Sequence, residues 1–223
     1  MEVHAQYFLN QNKYLNMLVN RMQIPPVIKN ILIINGILYL CINIFHTYSV
    51  SGYFSSPIYD YLALHDLNDK NFGVWQFISH MFIHDADPMH IFFNMFALWM
   101  FGRQIEYRWG SKRFLSYYIL TGIGAAILHM IIAGGTGSVM YGASGAVFGI
   151  LLAFGMVYPN TQILLLIPPM PIKAKYLVIG YGLLELYLGY GSPNSGVAHF
   201  AHVGGMVFGL IIFLYWKIKN IYY

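Results

Sequence analysis

Two residues of this chain have the types and the setting that nucleophilic chemistry needs, Ser144 and His202. Ser144 lies in the run Gly142-Ala143-Ser144-Gly145 at the start of one apolar segment, and His202 lies inside another near the end of the chain. A serine hydroxyl is a weak nucleophile until a base removes its proton, and histidine is the usual base because its ordinary pKa lies near neutrality. Ionisable groups inside a bilayer are costly and therefore mark candidate functional sites. The pair predicts a nucleophile and its general base below a membrane surface.

Glycines on the face of His202 indicate how the two residues can meet. Gly205 and Gly209 follow at i+3 and i+7, while Gly145 and Gly149 have a similar spacing after Ser144. Small residues on helix faces allow two backbones to approach closely. Taken alone, the glycines are also explained as packing motifs, with His202 as an interfacial polar residue.

Acyl transfer also needs donors for the oxyanion of the tetrahedral intermediate. The backbone N–H of Ser144, at a helix N-terminus, is one candidate. Asp87-Pro88 reads as an N-cap followed by a proline at N1, which places His90 in the first turn and Asn94 one turn later on the same face. An alternative role for both is hydrogen bonding between helices.

The remaining ionisable candidates are interpreted as structural. His80 and His84 lie four residues apart, a zinc-binding spacing, but no glutamate base or cysteine accompanies them and a proline interrupts the helix. We interpret them as residues that hold the loop and the second apolar segment in place. His199 lies off the face of His202 and is read as structural or cavity-lining, His129 as a satisfied interior residue, and Glu185 as structural.

Composition identifies the setting as a membrane. Of 223 residues, 58% are hydrophobic and 9% are charged, against about 25% charged in a typical soluble domain. The net charge of +4 therefore carries no indication of nucleic acid, and the single cysteine excludes a disulfide within the chain. Six apolar segments are candidate spans: 28–49, 84–102, 111–133, 143–158, 174–190 and 196–216.

The distribution of basic residues predicts the orientation of these spans. Lys and Arg accumulate on the cytoplasmic side of short loops. With the N-terminus inside, 11 of the 12 basic residues lie inside, and only Lys70, in the 50–83 loop, lies outside. The fourth span would then enter from the outer face. Residues 143–158 rise only about 24 Å, less than the roughly 30 Å hydrocarbon core, which predicts Ser144 at the floor of a water-filled cavity that opens outward.

Four motifs in order along the chain resemble those of the rhomboid intramembrane serine proteases. The GxSG pattern lies at 142–145 and the AHxxGxxxG pattern at 201–209. The paired HxxxH and HxxxN patterns lie at 80–84 and 90–94, and the motif after the second span lies at 106–111. The resemblance covers roughly residues 28–216. One departure is Trp75-Gln76, where the family often has Trp-Arg.

The resemblance implies an all-α, polytopic, six-transmembrane-helix bundle with a Ser–His dyad, no acid, no cofactor and no metal. It assigns Ser144 as nucleophile and His202, rather than His199, as base. It also implies roles in oxyanion stabilisation or substrate binding for four residues: His90, Asn94, Gly142 and Phe148. Of these, Phe148 is the aromatic residue that stacks on the base. The implied substrate is a membrane-anchored protein cut within or next to its transmembrane segment.

The expected organisation is a cytoplasmic N-terminal segment 1–27, a membrane domain 28–216 and a cytoplasmic tail 217–223. The expected partners are transmembrane substrates and the lipid bilayer, without nucleic acid, in a bacterial inner membrane with both termini inside. The oligomeric state stays open. An alternative is a non-catalytic relative that binds transmembrane helices as an adaptor. A histidine-lined channel or transporter is disfavoured because the histidines concentrate near the outer half and no internal repeat is evident.

Overall fold

The structure, a computed structural model, describes residues 23–48, 54–135, 137–165, 169–191 and 198–221. Most of the predicted N-terminal segment, residues 1–22, lies outside the described residues, as does the end of the predicted tail, 222–223. The predicted boundaries of the two cytoplasmic segments therefore stay predictions.

The described chain is mostly helical and has very little strand, which confirms the all-α fold. Its helices are α1 (Pro26–Ile44), α2 (Pro57–Leu62), α3 (Gln76–Ser79), α4 (Pro88–Ala97), α5 (Arg103–Trp109), α6 (Ser111–Ala133), α7 (Ser144–Val157), α8 (Ala174–Gly191) and α9 (His199–Ile218). A 3₁₀ turn, His80–Phe82, follows α3, and a π-helical segment, Leu98–Gly102, joins α4 to α5. Two short antiparallel pairs complete it: β1 (Thr47–Tyr48) with β2 (Phe54–Ser55), and β3 (Gln162–Leu164) with β4 (Pro171–Lys173).

Three helices in the described part of the chain, α1, α6 and α9, are long and apolar enough to cross a bilayer. The helix α7 is apolar but has only 14 residues, a rise of about 21 Å. The predicted bounds hold for α6, and they hold to within one residue for α7 and α8.

The predicted bounds of the first and second spans are wrong. Helix α1 ends at Ile44 rather than 49, and β1 begins shortly after it. The helix of the second span, α4, begins at Pro88 rather than 84 because Asp87 caps it. The Asp87 carboxylate accepts a hydrogen bond from the Met89 N–H. That cap confirms the Asp87-Pro88 prediction. The helix then continues through the π segment to Trp109, so that the motif expected after the second span is largely helical.

Helices α6, α7 and α9 pack through their glycines at the centre of the bundle. A Cβ atom added to Gly205 would lie 1.8 Å from the carbonyl oxygen of Gly145, and one added to Gly209 would lie 3.3 Å from the Cα of Gly149. The Tyr117 hydroxyl, on α6, donates a 3.1 Å hydrogen bond to the Gly149 carbonyl. The predicted close approach of these two glycine faces is confirmed.

A buried carboxylate fixes the start of α1. Glu106, on α5, is 2% exposed and accepts hydrogen bonds from the backbone N–H groups of Val27 and Ile28, each 3.0 Å long. The Ser111 hydroxyl donates to it at 2.7 Å. The first N–H groups of a helix have no partner within the helix and favour a negative charge. Glu106 therefore caps α1 and links it to α5.

The long loop before α4 is held by Gln76, at the position where the sequence departs from the rhomboid pattern. Its side chain is fully buried. The amide donates to the carbonyls of Tyr61 and Asn71, at 3.2 and 2.8 Å, and its oxygen accepts from the His65 N–H at 3.1 Å. A neutral amide thus satisfies three backbone groups and closes the loop on itself.

The same loop anchors the segment that leads to Ser144. The Asp66 carboxylate accepts from the N–H groups of Gly135 and Gly137, at 2.7 and 3.1 Å. Leu64 and Met140 pair through two backbone hydrogen bonds of 2.9 Å. These contacts fix the irregular backbone that enters α7.

Replacing Gly205 with alanine should separate α7 from α9, because the new methyl group overlaps the Gly145 carbonyl. We expect a loss of about 1–3 kcal/mol in stability, typical of overpacking. Gly180→Ala is the matched control, since a Cβ at Gly180 meets nothing within 4 Å. Thermal unfolding in detergent micelles compares the two, and equal midpoints for both variants would contradict the packing described.

Candidate active site

Ser144 is the first residue of α7 and is half-buried at its N-terminus. The turn before it depends on Gly142, whose φ of 105° is rarely adopted by residues with a side chain. The Gly142 N–H donates to the His80 carbonyl at 2.9 Å. The turn before Ser144 is therefore fixed by the backbone conformation of Gly142 and by its hydrogen bond to His80.

His202, on α9, lies within hydrogen-bond reach of Ser144. The distance between His202 Nε2 and Ser144 Oγ is 2.8 Å. The Phe148 ring, one turn along α7, stacks on the imidazole with a centroid distance of 4.3 Å and an interplanar angle of 9°. Tyr181, on α8, packs edge to face against the Phe148 ring, with the two ring centroids 6.2 Å apart. A serine and a histidine in this geometry form the arrangement of an activated nucleophile.

The other ring nitrogen of His202 faces an acid that the sequence reasoning did not connect with it. Glu185 Oε2, on α8, lies 2.9 Å from His202 Nδ1 and 2.7 Å from His199 Nδ1. The contact with His199 is a hydrogen bond, whereas the approach of His202 is oblique and falls short of hydrogen-bond alignment. The available signal was the cost of a lone acid in an apolar span; the pairing itself depends on how α8 packs against α9.

His90 lies beside Gly142. A Cβ atom placed on Gly142 would lie 2.9 Å from His90 Nε2 and 4.0 Å from Ser144 Oγ. The absence of a side chain on the glycine therefore leaves a space that the histidine and the serine both border. His90 Nδ1 is 3.1 Å from Asp85 Oδ1, so Nε2 can donate a hydrogen bond into that space only when the ring carries both protons.

Asp85, which holds His90, has a second partner. The Tyr141 hydroxyl donates to its other carboxylate oxygen at 3.2 Å. Burial on its own raises the pKa of the Asp85 carboxyl, but the hydrogen bond and charge of His90 and the hydrogen bond of Tyr141 outweigh burial and lower the pKa below its ordinary value. The carboxylate is thus the stable form opposite His90.

Asn94 and His84 lie in the same region with different contacts. Asn94 is buried, and its amide donates to the His90 carbonyl, one turn back on its own helix, at 2.9 Å. The Ala143 N–H donates a long hydrogen bond of 3.5 Å to His84 Nε2, and the rings of His84 and His90 meet edge to face, 4.9 Å apart. His84 therefore supports the backbone just before Ser144.

The group Glu185, His199 and His202 is the one that could hold a metal ion in the described part of the chain, since its ligand atoms all lie within 4.8 Å of one another. The spacing argues against it. Tetrahedral zinc with Zn–N bonds near 2.0–2.1 Å separates its ligand atoms by about 3.3 Å, whereas Glu185 Oε2 lies 2.7 and 2.9 Å from the two nitrogens. These are the distances of direct contact between an acceptor and its donors.

The fold and this site define a helical membrane protein with a paired serine and histidine between its central helices. Residues 71–218 match the Rhomboid domain, and the chain belongs to the rhomboid family. It is similar to the rhomboid protease GlpG of Yersinia enterocolitica, 26% identical over 189 residues that make up 83% of this chain and 62% of that protein. A GlpG of Yersinia pestis is 25% identical over 185 residues, with the same shares. The chain thus spans 62% of the length of these relatives.

Family and apolar helices together make the chain an integral membrane protein.

Buried His80 should make the stability of the fold depend on pH. Burial, with the nearby His129 second, lowers the pKa of His80 from 6.5 to about 4. Between these values the unfolded chain takes up a proton that the folded chain does not, so stability falls as the pH falls from about 6.5 towards 4.

The measurement is the thermal midpoint of the purified protein in detergent across that range. His80→Gln should flatten the dependence on pH. Met81→Leu changes a buried neighbour without removing a titrating group and should keep the wild-type slope. An unchanged slope in His80→Gln would contradict the assignment.

Proposed function

We propose that this protein is an intramembrane serine endopeptidase that uses Ser144 as nucleophile and His202 as general base. The observation that carries the proposal is the 2.8 Å contact between Ser144 Oγ and His202 Nε2 at a half-buried helix start in a membrane bundle. The similarity of the chain to the rhomboid proteases GlpG of two Yersinia species supports the same activity.

Acylation follows from this geometry. Ser144 Oγ attacks the carbonyl carbon of the scissile peptide bond while His202 Nε2 takes the hydroxyl proton. The tetrahedral intermediate then collapses, the C–N bond breaks, and His202 gives the same proton to the departing amine. Phe148, stacked on the imidazole, limits rotation of the ring away from the serine.

Oxyanion stabilisation falls to groups that surround Gly142. The empty volume where a Gly142 side chain would stand is bordered by His90 Nε2 and Ser144 Oγ, and we assign it to the developing negative charge. The Ser144 N–H at the start of α7 and the His90 ring are its donors. Asn94 contributes the second N–H of its amide, since the first is used by the His90 carbonyl.

Deacylation uses water, which reaches Ser144 from the outer face. His202 removes a proton from the water as it attacks the acyl ester, and returns that proton to Ser144 Oγ as the ester bond breaks. The carboxyl product is then released and the serine hydroxyl is restored.

The proposed topology has six crossings with both termini in the cytoplasm of a bacterial inner membrane. It rests on the placement of 11 of the 12 basic residues on one side. The α7 helix, about 21 Å long, then starts below the outer surface. Substrates are membrane-anchored proteins, and those with helix-weakening residues near the outer end of the span are favoured because a helix hides its carbonyls in hydrogen bonds.

Removing either member of the pair should abolish cleavage. A single-span reporter with a glycine-containing transmembrane segment is reconstituted in bilayers with wild type, Ser144→Ala or His202→Ala. Ser116→Ala, which removes an exposed hydroxyl that donates only to its own helix at Lys112, is the matched control. We expect cleavage by wild type and the control and none by the two site variants. Cleavage that survives Ser144→Ala would overturn the mechanism.

His90→Ala should lower kcat by about 10²–10³-fold, the usual cost of one oxyanion donor, with a smaller change in KM. Met89→Ala alters the exposed neighbouring residue and should keep the wild-type rate. Steady-state kinetics on the same reporter measure both. A wild-type kcat in His90→Ala would remove this residue from the oxyanion site.

A further inference from the structure

We propose that Glu185 is a positioning residue that holds His202 in the reactive tautomer and balances the charge of its imidazolium. This inference rests on the proposed function, because it concerns the base of that reaction. The rhomboid resemblance implies a serine–histidine pair without an acid; in this chain a carboxylate from α8 reaches the back of the histidine.

The His202 ring lies between the Glu185 carboxylate and the Ser144 hydroxyl and contacts both. Glu185 Oε2 lies 2.9 Å from His202 Nδ1, and His202 Nε2 lies 2.8 Å from Ser144 Oγ. Glu185 is 7% exposed and His202 is 8% exposed. Solvent therefore does little to screen the carboxylate from the ring.

A carboxylate at this depth needs a reason. An acid inside a membrane helix is costly, and such residues face partners inside the bundle. His199 supplies one partner, with its Nδ1 2.7 Å from Oε2. A carboxylate oxygen accepts more than one hydrogen bond, so the same atom serves both rings.

The chemistry of the base explains what the second contact does. His202 can accept the Ser144 proton at Nε2 only if its resting proton is on Nδ1. A carboxylate beside Nδ1 favours that tautomer. When Nε2 takes the serine proton the ring becomes positive, and the buried negative charge stabilises it. The oblique contact at rest leaves room to align as this charge develops, as catalytic hydrogen bonds do when the substrate complex forms.

The titratable groups facing His202 come from three helices: Ser144 on α7, Glu185 on α8 and His199 on α9. Of these, Glu185 is the carboxylate. A structural tie between α8 and α9 through His199 alone would use the acid without acting on His202, and the experiment must separate the two roles.

The test compares the kinetics of Glu185→Gln and Glu185→Asp on the single-span reporter. Glutamine keeps the size but removes the charge, and can present an N–H to Nδ1. We expect kcat to fall about a hundredfold with KM within about twofold, because Glu185 touches no substrate. Aspartate keeps the charge and should restore kcat to within about tenfold of wild type. Labelling of Ser144 by a fluorophosphonate, which needs no protein substrate, should follow the same order.

Two controls address a merely structural role. Glu106→Gln neutralises another buried carboxylate in the bundle, one that caps α1 away from the site; it should lower the melting temperature without lowering kcat of the folded protein. His199→Ala removes the second partner of Glu185 and should lower kcat by no more than about tenfold. Wild-type kcat in folded Glu185→Gln, or equal kcat losses in Glu185→Gln and Glu106→Gln, would overturn the proposal.

A second measurement does not depend on the folding of any Glu185 variant. In ¹⁵N-histidine-labelled wild type, the His202 signals, assigned by difference from His202→Gln, should show a protonated Nδ1 and a bare Nε2. The opposite tautomer would overturn the proposal.

The remaining outcomes separate this inference from its alternatives. Loss of wild-type activity on chelation and recovery with zinc would assign Glu185, His199 and His202 to a metal and overturn the positioning role. A wild-type protein that neither cleaves the reporter nor labels at Ser144 would overturn the proposed function and the inference with it. Full wild-type activity together with an unaffected Glu185→Gln would overturn the inference alone.

Discussion

The contact on which the site depends is the approach of α7 to α9 through their glycines. Gly205 lies against the Gly145 carbonyl so closely that a methyl group has no room. Ser144 and His202 precede these two glycines by one and three residues. Because lipid gives helices no hydrophobic reason to associate, close van der Waals packing of small residues sets their separation. The 2.8 Å distance between serine and imidazole follows from that backbone contact rather than from the side chains themselves.

Around this contact, the loops fix the irregular backbone that leads to Ser144. Asp66 and the Leu64–Met140 pairing hold the segment before α7, while His80 and His84 hold the last residues before Ser144. Non-helical backbone in a membrane protein is tolerated only where protein or a cavity satisfies its polar groups. The first loop therefore acts as a scaffold for the nucleophile, and the buried Gln76 keeps that scaffold closed.

Two buried carboxylates in the described bundle illustrate how one residue type takes different roles. Glu106 accepts from backbone N–H groups at the start of α1, so that its negative charge is matched by a helix terminus. Glu185 instead meets two imidazole rings. The first arrangement is complete in itself, since every partner is backbone or a hydroxyl. The second leaves the charge facing a group that changes its protonation during the proposed reaction.

The sequence by itself determined the helical membrane fold, the bounds of α6, α7 and α8, and the residues of the serine–histidine pair, because hydropathy and short motifs are local properties. The cap at Asp87 was equally local, and was found. Only the tertiary structure decided that α4 continues through a π segment and α5 to Trp109. It also decided that Asp85 contacts Nδ1 of His90 and that Glu185 contacts Nδ1 of His202. Glu185 and His202 lie on different helices, and no pattern within either helix specifies the packing angle that brings a carboxylate to an imidazole.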